Sequence, residues 1–185
     1  MHVRGVEFDR DNVSLRQMTA EHVDDVVGLL REHLKLVPPV CLSKDEIKAV
    51  MADPGWFSRL HYPGEAAVEN SYTTFVGLRG GRVVAAAQVE WLKDDLRKCL
   101  MWAVGERDEA TLREFLEQVI GEVRGSGYRG ISVSRNPFGI GWSGIPDCWP
   151  HVLNAARAVG FDVSERWQSY WIVDATPAAR LRARL

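Results

Sequence analysis

Two side chains stand out as able to move a proton. Glu90 lies late in the alternating run Arg82–Trp91 and faces away from Val89 and Trp91. A carboxylate there can act as general base for an amine, directly or through a water. The bland alternative is a solvated or ion-paired glutamate. His151 opens the last helical stretch beside Cys148 and Trp149. An imidazole titrates near neutrality and can serve as acid or base; equally, it can pack or cap the helix end. Cys148 and His151 have the spacing of adjacent helical turns, which sets them side by side without a third, orienting group. Inert burial is the alternative for the thiol. The run Gly139-Ile140-Gly141-Trp142-Ser143-Gly144 matches GxGxxG. A dinucleotide fingerprint needs its helix to open within the motif. Pro146 and Asp147 delay that helix, so a loop walling a pocket is the better reading.

The elements that must position these residues are legible in outline. Val13–Met18 reads as a short strand. Thr19 then caps a helix whose Val23, Val26, Val27, Leu30 and Leu34 form one stripe. Pro38-Pro39 ends it. Ser43-Lys44-Asp45-Glu46 is a capping box before a second, short helix. Residues 56–71 have no clean period and read as loop. Tyr72–Arg79 and Arg82–Trp91 flank Gly80-Gly81, a hairpin. Arg97–Val104 follows as a third meander strand. Asp108 caps the clearest helix, to Arg124, with Gly125 or Gly127 as its stop. Tyr128–Ser134 is the next strand. Asp147 caps the last helix, Gly160 ends it, and Arg166–Val173 is a final strand. The expected fold is α/β, with a mixed sheet of about six to seven strands. Most are antiparallel, one pair is parallel and splayed, and helices cover both faces.

This order, from about Val13 to Val173, resembles the GNAT superfamily of acyltransferases. Ala158-Val159-Gly160-Phe161 looks like that family's closing passage from helix through Gly-Phe into strand. Gly144-Ile145-Pro146-Asp147-Cys148-Trp149-Pro150-His151 is similar to a stretch in a subgroup, some members of which carry two tandem halves. The resemblance implies an acetyl-CoA or other acyl-CoA co-substrate, held between the fourth and fifth strands. It implies thioester-holding amides at Trp102, Ala103 and Val104. Gly105 and Arg107 lie in the turn toward the pyrophosphate, and Ser134 and Asn136 on the facing side. Glu90 and His151 are the candidates for catalysis. The implied reaction is N-acetylation of a small-molecule or protein amine; the alternative is a degenerate GNAT-like binding or regulatory domain. A homodimer or a second GNAT half is an implied partner.

The chain departs from the family pattern in two places. The family's turn is Arg/Gln-x-x-Gly-x-Gly/Ala; here Val104-Gly105-Glu106-Arg107-Asp108-Glu109-Ala110 has one glycine and three acids. Acids at a helix N-terminus favour the helix but repel a phosphate. Where many members place a tyrosine that protonates the thiolate, this chain has Ala156.

Bulk properties bound the rest. The chain has 185 residues, 46% hydrophobic and 26% charged, with a net charge of −2. That fits one domain, residues 1–175, with a basic tail or linker start at 176–185. It gives no argument for nucleic acid or an anionic membrane as partner. Three cysteines without a CxxC or Cys/His cluster fit reduced thiols and no metal site. The charged N-terminus has no signal-peptide pattern, and no apolar run approaches ~20 residues. A cytoplasmic location is expected. Seven tryptophans serve either core packing or an aromatic-lined pocket.

Overall fold

Gly80 and Gly81 both adopt positive φ, 57° and 83°. That is the geometry of the two-residue turn whose twist matches paired strands. It joins β2 (Ser71–Arg79) to β3 (Arg82–Trp91). The computed structural model describes residues 12–37, 42–54, 71–91, 97–133 and 144–162, for residues 97–101 the backbone only. β1 (Ser14–Gln17) and β4 (Arg97–Gly105) pair antiparallel on either side of this hairpin. β5 (Gly130–Val133) adds to β4 in parallel. The described sheet is thus β1-β2-β3-β4-β5. The expected strand at Arg166–Val173 lies outside the described residues, as do the loop over most of residues 56–71 and Ser134 and Asn136.

Helices cover both faces, and the alternation of β3 shows which face each one takes. α1 (Val23–Leu34) follows a 3-10 turn at Ala20–His22 and buries Val26, Val27, Leu30 and Leu34. α2 (Lys44–Ala52) starts at the expected box: Ser43 accepts from the Glu46 amide, and Glu46 from the Ser43 amide. α3 (Glu109–Gly125) is capped by Asp108 and lies on the Ala85 face, where Leu112 and Phe115 approach Gly105 and Gly77. Gly127, at φ 88°, follows its end. α3 also covers the outer edge of β1: Glu114 accepts from the Val13 amide, and Gln118 bonds both Leu15 and Val13. That removes the hazard of an open edge strand. α4 (Pro150–Ala158) packs against α3. Its N-cap is Trp149, not the expected Asp147. Pro150, fixed in φ, takes the first helical position, so the residue before it becomes the cap.

On the other face Gln88 is buried and fully engaged. Its amide donates to the Met51 carbonyl and the Thr74 hydroxyl, each at 3.1 Å, and its carbonyl accepts from Trp102 Nε1 at 3.1 Å. This network ties β2, β3, β4 and α2 at one point. Gln88→Leu keeps the volume and loses the bonds. It is expected to cost about 2 kcal/mol, read as a lower urea midpoint with unchanged slope. Among the described residues no helix is long and apolar enough to cross a membrane.

Candidate active site

β4 carries the feature that the sequence alone does not display. Gln88 pairs with Trp102 but Val89 with Leu100, so Met101 is an extra residue, a β-bulge. Bulges bend a strand and break its ladder. The parallel pairing with β5 runs from Arg97↔Gly130 to Leu100↔Val133, and β4 continues to Gly105. Beyond the bulge, backbone direction follows from one hydrogen bond. Glu106 N–H donates to the Val84 carbonyl at 2.9 Å, on the β3 side. Alternation then turns the Val104 N–H toward β3 and the Ala103 and Gly105 N–H groups toward the side on which β5 lies. Trp102, Ala103, Val104 and Gly105 are all buried. A Cβ on Gly105 would stand 2.9 Å from Leu112 and 3.3 Å from the Val84 carbonyl, so this stretch is closely backed by α3 and β3.

The acidic turn that follows is internally satisfied. Glu106 pairs with Arg82 at 2.6 Å, at the start of β3. Asp108 accepts from the Ala110 amide at 3.2 Å and from the Thr111 hydroxyl. Arg79 donates to Thr111 Oγ1 at 2.6 Å and stands 3.9 Å from Asp108. The Thr111 hydroxyl foremost, then backbone amides and Arg79, hold the Asp108 carboxyl below the usual carboxylate range. Glu109 accepts from Asn154 of α4 at 3.3 Å. Arg107 is exposed.

Glu90 is buried, 1% exposed, and accepts a hydrogen bond from the Tyr72 hydroxyl at 3.1 Å. The two are cross-strand partners. Tyr72 is a functional candidate with no local mark in the sequence: counted from the Gly80-Gly81 turn alone, Ser71 would face Glu90, and only the register shift between Gly77 and Leu78 brings Tyr72 opposite it.

His151, in the first turn of α4, does not stand alone. Its Nε2 lies 2.9 Å from Nε2 of His33, on α1. His33 Nδ1 is 2.8 Å from the Leu29 carbonyl, and Trp149 Nε1 donates to the His33 carbonyl at 2.9 Å. The Trp149 ring meets the His33 ring edge-on, centroids 5.2 Å apart. Burial, chiefly, lowers the His33 pKa to about 4, with help from His151 and Arg107. Burial and then Arg107 lower that of His151. Burial raises that of Cys148, which argues against a thiolate nucleophile. Among the described residues no cluster of three or more His, Cys, Asp or Glu side chains could hold a metal ion.

No protein-family model and no curated protein sequence matches the chain. Solved structures do. A transcriptional regulator from Bacillus halodurans C-125 aligns with 87% of this chain and 100% of its own, at 15% identity and TM-score 0.53. The aminoglycoside N-acetyltransferase AAC(6')-Iy in complex with CoA aligns over 93% and 99%, at 17% identity and TM-score 0.52. An aminoglycoside acetyltransferase from an uncultured soil metagenomic sample, in complex with sisomicin, aligns over 87% and 95%, at 8% identity and TM-score 0.51. Likeness at these identities is likeness of fold.

Proposed function

From the premise that this chain is a GNAT-like domain, we propose that it transfers an acyl group from an acyl-CoA, acetyl in the simplest case, to a primary amine of a small molecule or protein. The observation that carries the reading is the bulge in β4 at Met101, beyond which the Ala103 and Gly105 amides turn to the side on which β5 lies. Two strands that part there would present those donors to a thioester carbonyl, and fixed donors of this kind stabilise the developing oxyanion. An ammonium substrate must lose one proton before it can attack. Glu90 is buried, so it takes that proton through the Tyr72 hydroxyl it holds.

The residues fit the thioester half of CoA better than its diphosphate. A helix N-terminus binds phosphate through open amides, and here the Asp108 carboxylate occupies the cap of α3. Asp108→Ala should loosen α3 by about 1 kcal/mol and tighten CoA binding several-fold. Weaker binding in that variant would contradict the electrostatic argument.

Calorimetric titration with acetyl-CoA, followed by thiol release on adding amines, tests the activity. Binding with amine-dependent thiol release is expected; no heat at millimolar CoA would remove the reading. Glu90→Gln is expected to lower kcat about tenfold at pH 7. Activity should recover as pH rises toward the amine's own pKa of ~10, where the nucleophile forms unaided. Unchanged turnover at pH 7 would exclude Glu90 as base.

A further inference from the structure

The acyl-transfer reading leaves a second proton unplaced. After the amine attacks, its nitrogen must shed a proton, and the departing thiolate must gain one. Ala156 supplies no hydroxyl for this.

The geometry points to His33 as a positioning residue that fixes the tautomer of His151, making His151 the carrier of that second proton; the carrier role rests on the acyl-transfer reading. The tautomers follow from hydrogen-bond bookkeeping. A backbone carbonyl only accepts, so His33 Nδ1, 2.8 Å from the Leu29 oxygen, carries the hydrogen. Neutral His33 therefore has a lone pair on Nε2. His151 Nε2, 2.9 Å away, must donate to it. That leaves the His151 Nδ1 with a lone pair, fixed in direction by a bond at the other end of its ring.

Both rings being neutral is consistent with their surroundings. His33 is 5% exposed, so a charge on it would be poorly solvated. The charged groups acting on the pair are Arg107, from the turn after β4, and Glu32, on α1 itself. The positive Arg107 disfavours an added proton on either ring.

The step then balances. The neutral amine nitrogen forms a bond to the acyl carbon, and the carbonyl electrons move to oxygen. The nitrogen's proton passes to His151 Nδ1. The oxyanion's pair re-forms the carbonyl as the C–S bond breaks, that bond's pair goes to sulfur, and the thiolate takes the proton back from Nδ1. During the interval His151 is an imidazolium, and the Nε2 lone pair of His33 stabilises it by accepting its Nε2–H. Cys148, just before the Trp149 cap, is not required by this step.

The test compares His33→Gln, whose side-chain carbonyl replaces the Nε2 acceptor, with His33→Leu, which removes it. In the protein labelled with nitrogen-15 in histidine, His151 should show a protonated Nε2 and a bare Nδ1. His33→Leu should release it to a tautomer mixture, and His33→Gln should restore the single form. Turnover of acetyl-CoA with a saturating amine should fall at least about tenfold in kcat for His33→Leu with KM little changed, and recover in His33→Gln. A His151 protonated on Nδ1 in the unaltered protein overturns the positioning. Equal kcat in all three proteins overturns the carrier role. If the unaltered protein turns over no acyl-CoA, the transfer reading and the carrier role fail together. The nitrogen spectrum still decides whether His33 sets the tautomer.

Discussion

Replacing Trp149 with alanine is expected to cost about 3–5 kcal/mol of stability, the range for deleting a large aromatic from a packed core. Trp149 is among the largest fully buried side chains, at 1% exposure. It is also the N-cap residue of α4, and it joins that helix to α1 through its indole N–H and the His33 carbonyl, 2.9 Å apart. That carbonyl lies in the last turn of α1, where acceptors lack helical partners; the Leu36 amide donates to it as well. Trp149→Phe separates the two contributions. It keeps most of the ring and should lose about 1 kcal/mol for the missing donor. Urea unfolding measures both. Trp149→Ala within 1 kcal/mol of the unaltered protein would show that the α1–α4 contact is not part of the cooperative core. The histidine pair should suffer with it, because the Trp149 ring fixes one side of His33.

Much of the fold was readable because its signals are local. The stripe from Val23 to Leu34, the Ser43 box, the Gly80-Gly81 turn and the Asp108 cap each lie within a few residues of the chain, and each stands where the pattern places it. Asp147 is a good capping residue by type, but Pro150, three positions on, takes the first helical position and makes Trp149 the cap. The site was less legible, since its contacts are distant in sequence. His33 and His151 are 118 residues apart. Only one local hint existed: His33 follows Leu30 by three positions and Val26 by seven, so a polar ring falls beside the apolar stripe of α1. The bulge at Met101 left no mark at all, because Arg97–Val104 reads as an ordinary strand and a bulge is defined by the partner's register. The three acids Glu106, Asp108 and Glu109 stand around the start of α3, as the sequence predicts. Their effect could be judged only once Arg79, Arg82, Thr111 and Asn154 were seen to engage them.

Acid should destabilise this protein through His33 before most carboxylates are protonated. The ring's pKa is about 4 in the folded chain against 6.5 unfolded. Below 6.5 the unfolded chain takes up a proton that the folded chain refuses, so the unfolded state gains ground as pH falls. His33 therefore contributes its full stability above pH ~6.5, and that contribution drains away down to about pH 4, where the folded ring also titrates. The gap is worth about 3 kcal/mol. The groups facing the ring account for the sign. Burial is the largest cause, His151 from α4 and Arg107 from the β4–α3 turn act the same way, and Glu32 on α1 opposes them. His151, also lowered, adds in the same direction. Asp108 and Asp24, both lowered, lose stability only at still lower pH, as they pass from about 4 downward. His33→Gln removes the titrating group while keeping an acceptor for His151. The difference in unfolding free energy between that variant and the unaltered protein should shift by about 3 kcal/mol from pH 7 to pH 4, in favour of the variant at low pH. Parallel pH profiles for the two proteins would mean that His33 takes up its proton without leaving the pair, and that the contact between α1 and α4 survives as an ion-bearing one.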